Sequence, residues 1–148
     1  GRAIAGLSMG GYGAWRIALD LPDTFCAAAA LSGALFWGEG PTDNIGLNGI
    51  FQEVYGKVPT AEEYRREGLR PRIDKLGSGT SWRGPALYFD CGADDFLLST
   101  NRMMEQHLMT RRIPYEFAEF TGRHDWPYWS EHIADVFQFV ERHLAAPE

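Results

Sequence analysis

The chain has only two cysteines, Cys26 and Cys91, and neither has a partner at a metal-binding spacing. That excludes a disulfide scaffold and a zinc-finger-like framework. Both cysteines fall in apolar, strand-like runs, so the expectation is two buried thiols and a reducing, cytoplasmic compartment. There is no run of Lys or Arg, and the formal net charge is −6, which argues against a phosphate-tracking face and so against a nucleic-acid partner. Arg65, Arg66, Arg70 and Arg72 form a loose basic cluster that reads as a solvated helix face. No apolar run approaches the ~20 residues that span a bilayer; the best candidate is 27–31. An initiator Met is absent too. The chain enters a motif within a few residues of Gly1, so the expectation is a polypeptide that begins upstream of it and is about twice as long.

What the chain does have is glycine, 17 in 148 residues, clustered at the start, at 38–49 and at 77–84. With 45% hydrophobic and 23% charged residues, the composition is that of one globular domain with a real core. Residues 2–6 read as a strand end and 10–21 as a helix with Trp15, Ile17, Ala18 and Leu21 at helical spacing. The apolar run 25–31 is short and bounded by turn residues, which favours a buried parallel strand despite its alanines. Residues 35–84 read as an insertion of loops and short helices, with one helix at 61–68 capped by Thr60 and Glu63. Then come a strand at 85–91, a helix at 99–112 with Met103, Met104, Leu108 and Met109 as its apolar positions, a strand at 115–120, and a helix at 128–144 with Ile133, Val136, Phe137 and Val140 facing inward. This alternation predicts an α/β fold, a parallel sheet flanked by helices.

Gly6-Leu7-Ser8-Met9-Gly10 is a G-x-S-x-G pattern between a strand and a helix, the context in which it forms a nucleophile elbow. A sharp turn there strains the serine backbone and leaves no room for side chains at Gly6 and Gly10. It also puts the Met9 N–H where a carbonyl oxygen would become an oxyanion. The competing reading is a glycine-rich turn with a capping serine. A serine hydroxyl needs a base, and the base needs an acid. Asp90, Asp94 and Asp95 all lie at or just past the carboxyl end of the strand at 85–91; Asp90 is still in the strand and Asp94 reads as a turn former, which favours Asp95. His107, His132 and His143 fall in helical patterns. His124 sits in the loop after the strand at 115–120 and becomes the candidate base. Chain order is then Ser, Asp, His, as in α/β-hydrolases.

The segments GLSMGGYGAW, LSGAL, FDCGADDFLL and GRHDWPYW together resemble the putative-esterase family of α/β-hydrolases, which includes esterase D, feruloyl, acetyl-xylan and tributyrin-type esterases. The resemblance implies Ser8 as nucleophile, Asp95 of the C-G-x-x-D motif as acid, His124 as base and Met9 as one oxyanion donor. Family members carry a further N-terminal half with the second donor, so residues 1–148 are expected to be the C-terminal part of one α/β-hydrolase domain. The implied activity is hydrolysis of short-chain acyl, acetyl or feruloyl esters, with a thioesterase of the S-formylglutathione type or an acyltransferase as alternatives. An inactive binding domain and a related serine peptidase are the rivals outside that activity. Trp126 and Trp129 beside the base, and Phe36 and Trp37 after the second strand, are candidates for an aromatic acyl pocket or sugar platform. No cofactor or metal is implied; the partner is a small-molecule ester, with neither nucleic acid nor membrane, and a bare sheet edge leaves room for a homo-oligomer.

Overall fold

Alanine prefers helix, yet Ala27–Leu31 forms strand β2 and is buried on both faces. The computed structural model describes residues 1–36, 53, 56–57 and 60–144 and shows why. β2 lies between β1 (Ala3–Leu7) and β3 (Ala86–Gly92), and β4 (Tyr115–Phe120) completes a sheet of order β1-β2-β3-β4, parallel throughout. Helices press on both faces of β2, and methyl groups let them approach closely. Packing therefore overrides propensity.

Period-2 alternation splits the core in two. Ala28, Ala30, Leu87 and Phe89 face helices α1 (Met9–Asp20), α3 (Leu69–Lys75) and α4 (Leu98–Thr110), where they meet Trp15, Ile73 and Met104. Trp15 is fully buried, lies edge-on to Phe89 at 5.3 Å, and donates its indole N–H to the Tyr88 carbonyl at 3.3 Å. Ala27, Ala29, Leu31 and Tyr88 face α5 (Trp126–His143), which contributes Val136 and Phe139. The expected α/β architecture is thus present, with element ends moved by a residue or two.

Three details depart from the sequence reading. Residues 61–75 hold two helices, α2 (Ala61–Glu67) and α3, rather than one. Pro71 does not prevent α3, because it falls in the first turn, where no intrahelical acceptor is needed. In α5 the inward stripe is Tyr128, His132, Val136 and Phe139, while Ile133 and Phe137 are exposed. In α4 the core takes Met104 and Leu108 and leaves Met103 and Met109 outside. In each helix the apolar residues outnumber those that one face can bury. Cys91 is a buried free thiol; Cys26 is free and half-buried. Among the described residues no helix is long and apolar enough to cross a membrane, and no group of side chains is arranged to hold a metal.

Candidate active site

The site is assembled at the carboxyl ends of the strands, where loops of an open parallel sheet converge. Ser8 is the single residue between β1 and α1, at φ 53° and ψ −123°, a region that non-glycine residues rarely occupy. Its backbone is pinned from several sides: Ser8 N–H donates to Leu31 O at 2.9 Å, and Ser8 O accepts from Gly11 and Ala34 at 3.0 Å each. The side chain makes no cap bond to the helix, which disposes of the capping-serine reading and leaves the hydroxyl for another partner.

The glycines of the elbow behave differently from the expectation at one position. A Cβ on Gly6 would run into the backbone carbonyl of Gly10, so hydrogen is obligatory there. At Gly10 a Cβ would meet nothing within 4 Å, because that position points away from the sheet on the first turn of α1. The second close approach is at Gly11, whose Cβ would stand 3.0 Å from both Ala30 Cβ and Gly33 Cα. The steric requirement behind the motif is therefore carried by Gly6 and Gly11.

Asp95 lies in the turn between β3 and α4 and His124 in the loop between β4 and α5. Gly92 allows these two loops to touch: a Cβ there would strike the Gly122 carbonyl, and Asp94 N–H donates to that same oxygen at 2.9 Å. His124 is set two residues before α5 by its neighbour Asp125, whose carboxylate caps the helix by accepting from Tyr128 N–H at 3.2 Å, and by Pro127 in the first turn.

Ser8 Oγ is 2.8 Å from His124 Nε2, and His124 Nδ1 is 2.8 Å from Asp95 Oδ2. The other oxygen of Asp95 accepts from Leu97 N–H at 2.8 Å. Asp95 is buried, and burial alone would raise its pKa. The hydrogen bond from His124, the Leu97 N–H and the neighbouring Ser32 hydroxyl outweigh burial and hold it below the usual carboxylate value. An ionised carboxylate only accepts, so Nδ1 carries the proton and Nε2 of the neutral ring accepts from the Ser8 hydroxyl. The three candidates that the sequence placed 87 and 29 residues apart meet in one hydrogen-bonded line. Met9 opens α1, where backbone N–H groups have no acceptor within the helix.

The two competing aspartates are elsewhere. Asp94 is exposed. Asp90 is fully buried, and its Oδ1 accepts from Tyr128 O–H at 2.8 Å on the α5 side. Burial pushes the Asp90 carboxyl up to about 6, against the pull of the Tyr128 hydroxyl. Because the folded-state pKa is the higher one, this group favours folding most below the unfolded carboxylate pKa. The contribution is lost as pH rises through 6. Asp90→Asn keeps an acceptor for Tyr128 and removes the ionisation. It should leave stability unaltered to within ~1 kcal/mol near pH 4, yet raise it at pH 8 by about 2–3 kcal/mol. Urea midpoints at the two pH values measure this; an equal change at both would contradict it.

Around the imidazole stand aromatic groups that the sequence placed only in part. Trp129 meets His124 edge-on at 5.0 Å and Trp126 meets Trp129 edge-on at 5.3 Å. Trp126 is exposed, and both tryptophans line an apolar cleft of about 360 Å³ against Gly6, Leu7 and Leu31. Phe36 is half-buried against the core, with the Arg70 guanidinium 5.5 Å above its ring. Trp37 lies outside the described residues. Phe96, 4.6 Å from the imidazole, and Ser32, which accepts from Trp129 Nε1 at 3.1 Å, were not singled out from sequence. Ser32 lies directly after a buried strand and within the LSGAL segment that shares in the family resemblance, but neither signal assigned it a role.

A family model described as "Putative esterase" matches residues 1–140. The chain is similar to the acetyl esterase of Caldicellulosiruptor saccharolyticus, with 30% identity over 151 residues covering 94% of this chain and 54% of the relative. Among solved structures it is similar to a ferulic acid esterase (TM-score 0.73, 28% identity, 97% of this chain and 52% of that one). It is also similar to the S-formylglutathione hydrolase of Staphylococcus aureus (TM-score 0.64, 28% identity, 92% and 49%). The chain spans about half the length of each of these relatives.

Proposed function

This chain belongs to the putative esterase family of α/β-hydrolases, and on that premise we propose that it carries the catalytic triad of a serine carboxylesterase, with Ser8 as nucleophile, His124 as base and Asp95 as acid. The observation that carries the reading is the line of two 2.8 Å hydrogen bonds from Ser8 through His124 to Asp95. Ser8 Oγ attacks the acyl carbon while Nε2 of His124 takes its proton. The negative oxygen that forms is held by the Met9 N–H at the start of α1, where the helix dipole also favours it. The imidazolium, stabilised by Asp95, then protonates the departing alcohol. Water, deprotonated by the same ring, releases the acid and restores Ser8.

In this reading residues 1–148 are the C-terminal part of one domain. Among the described residues β1 pairs only with β2, and a strand on its bare edge would bring the second oxyanion donor. Acetyl and feruloyl esters are the proposed substrates, supported by the likeness to an acetyl esterase and to a ferulic acid esterase. Trp126 and Trp129 are proposed as the apolar wall for the acyl group, with Phe36 and Trp37 as its extension. A thioester substrate is the second reading, supported by the likeness to an S-formylglutathione hydrolase at the same identity. Rates on p-nitrophenyl acetate, methyl ferulate and S-formylglutathione separate these.

The direct test is a fluorophosphonate probe, which loses fluoride as a serine oxygen bonds to phosphorus. Peptide mapping of the labelled protein should place the phosphonyl group on Ser8, with labelling abolished in His124→Ala. Labelling at another residue, or none, would reject the proposal.

A further inference from the structure

Ser32 is an unusual place for a serine. It follows β2 directly, is fully buried, and sits at φ 45°, in the left-handed region that disfavours residues with a Cβ. Its N–H donates to Asp90 O at 2.8 Å, so its backbone is tied to β3. Its residue number places it one step beyond Leu31, whose carbonyl holds the Ser8 N–H. Residues 32–36 are not helical, so the hydroxyl does not serve as the cap of a helix beginning at Ser32.

The hydroxyl has two neighbours. Trp129 Nε1–H donates to Ser32 Oγ at 3.1 Å. With a lone pair so engaged, the O–H itself is left to donate, and the hydroxyl favours the charged form of the Asp95 carboxylate. Asp95 Oδ2 receives the His124 Nδ1–H and Oδ1 the Leu97 N–H, and the hydrogen bond that links Ser32 to the site is the one from Trp129. Trp129 in turn lies edge-on to the imidazole at 5.0 Å, opposite to no other polar anchor than Ser32 for its indole N–H among the described residues.

We propose that Ser32 is a positioning residue, anchoring the Trp129 indole edge-on against His124 so that the ring is held both by its hydrogen-bonded acid and by its aromatic wall. This rests on the reading of Ser8, His124 and Asp95 as a triad. Ser32 touches no reacting atom. It acts by fixing the tryptophan that walls the base, which gives a buried, strained site a use for a hydroxyl.

The test is made in the native protein with Ser32→Gly and Ser32→Ala. Glycine accepts φ 45° without strain, so it separates loss of the hydroxyl from loss of the fold. Both variants should lower kcat on p-nitrophenyl acetate about fivefold to tenfold, the scale of one neutral hydrogen bond lost behind the base, with KM changed less than about twofold. The downfield proton resonance of His124 Nδ1–H should move in both. Full kcat in Ser32→Gly overturns the proposal, and so does a loss of kcat with that resonance unmoved, which would mark a merely structural serine. If the unmutated protein hydrolyses no ester, the triad reading fails by itself. In that case the resonance, which needs no turnover, still decides whether Ser32 is coupled to the His124–Asp95 pair.

Discussion

Ser8→Ala is expected to lower kcat on p-nitrophenyl acetate by about 10⁵- to 10⁶-fold while leaving KM and the thermal midpoint nearly unchanged. The size follows from what the hydroxyl does. It supplies the only oxygen in the hydrogen-bonded line that can form an acyl-enzyme, and His124 at 2.8 Å is already oriented to take its proton. Without it, hydrolysis depends on water reaching the acyl carbon under the Met9 N–H alone, and the barrier rises by roughly 7–8 kcal/mol at 1.36 kcal/mol per tenfold. The fold should not notice. The backbone bonds that pin residue 8 all come from its N–H and C=O, and alanine tolerates φ 53° about as poorly as serine does. Stopped-flow or endpoint assays in parallel with a melting curve make the comparison. A residual rate within a hundredfold of the unmutated enzyme would mean that Ser8 is not the nucleophile.

The second large effect is expected at a residue with no side chain. Gly6→Ala places a methyl group inside van der Waals distance of the Gly10 carbonyl and of its carbon, with Gly11 N at 2.9 Å. All three are backbone atoms of the elbow, so no rotamer change relieves the contact. Either β1 and α1 separate or the turn opens, and each outcome moves Ser8. The cost should exceed the ~1–3 kcal/mol of ordinary overpacking. Any protein that does fold should lose at least about a hundredfold in kcat from a displacement near 1 Å. Gly10→Ala is the control one turn away. With nothing within 4 Å of its Cβ, it should fold normally and gain up to ~1 kcal/mol from helix propensity. Urea titration of the two variants tests the pair; equal destabilisation would show that the elbow is not limited by Gly6.

These two residues also show how far the sequence could be read. Strand, G-x-S-x-G and helix in succession place a strained serine at the sheet rim, because a chain that reverses from strand to helix within one residue has few conformations open to it. The order Ser, Asp, His and the position of each after a strand were likewise legible, since carboxyl ends of parallel strands gather at one edge. Which glycines are sterically required was not legible. The pattern names Gly6 and Gly10, whereas the contacts select Gly6 and Gly11, and only the direction of each missing Cβ relative to β2 decides that. The helices behaved the same way. Ile133 and Phe137 have the hydrophobicity of core residues, but the rotation of α5 about its axis was settled by Tyr128 and Phe139 finding partners on β3.

By itself, then, the sequence determined the alternation of strands and helices, the elbow, and the short choice of acid and base. These follow from local period, turn chemistry and chain order, all of which are properties of neighbours along the chain. The tertiary structure added that Asp95, which the sequence favours, bonds His124, that His124 in turn reaches Ser8, and, with no signal from the sequence, that Ser32 receives the Trp129 indole N–H. Those depend on distances between residues 29 to 116 positions apart, and such distances are set by how helices and strands pack, which no local pattern records.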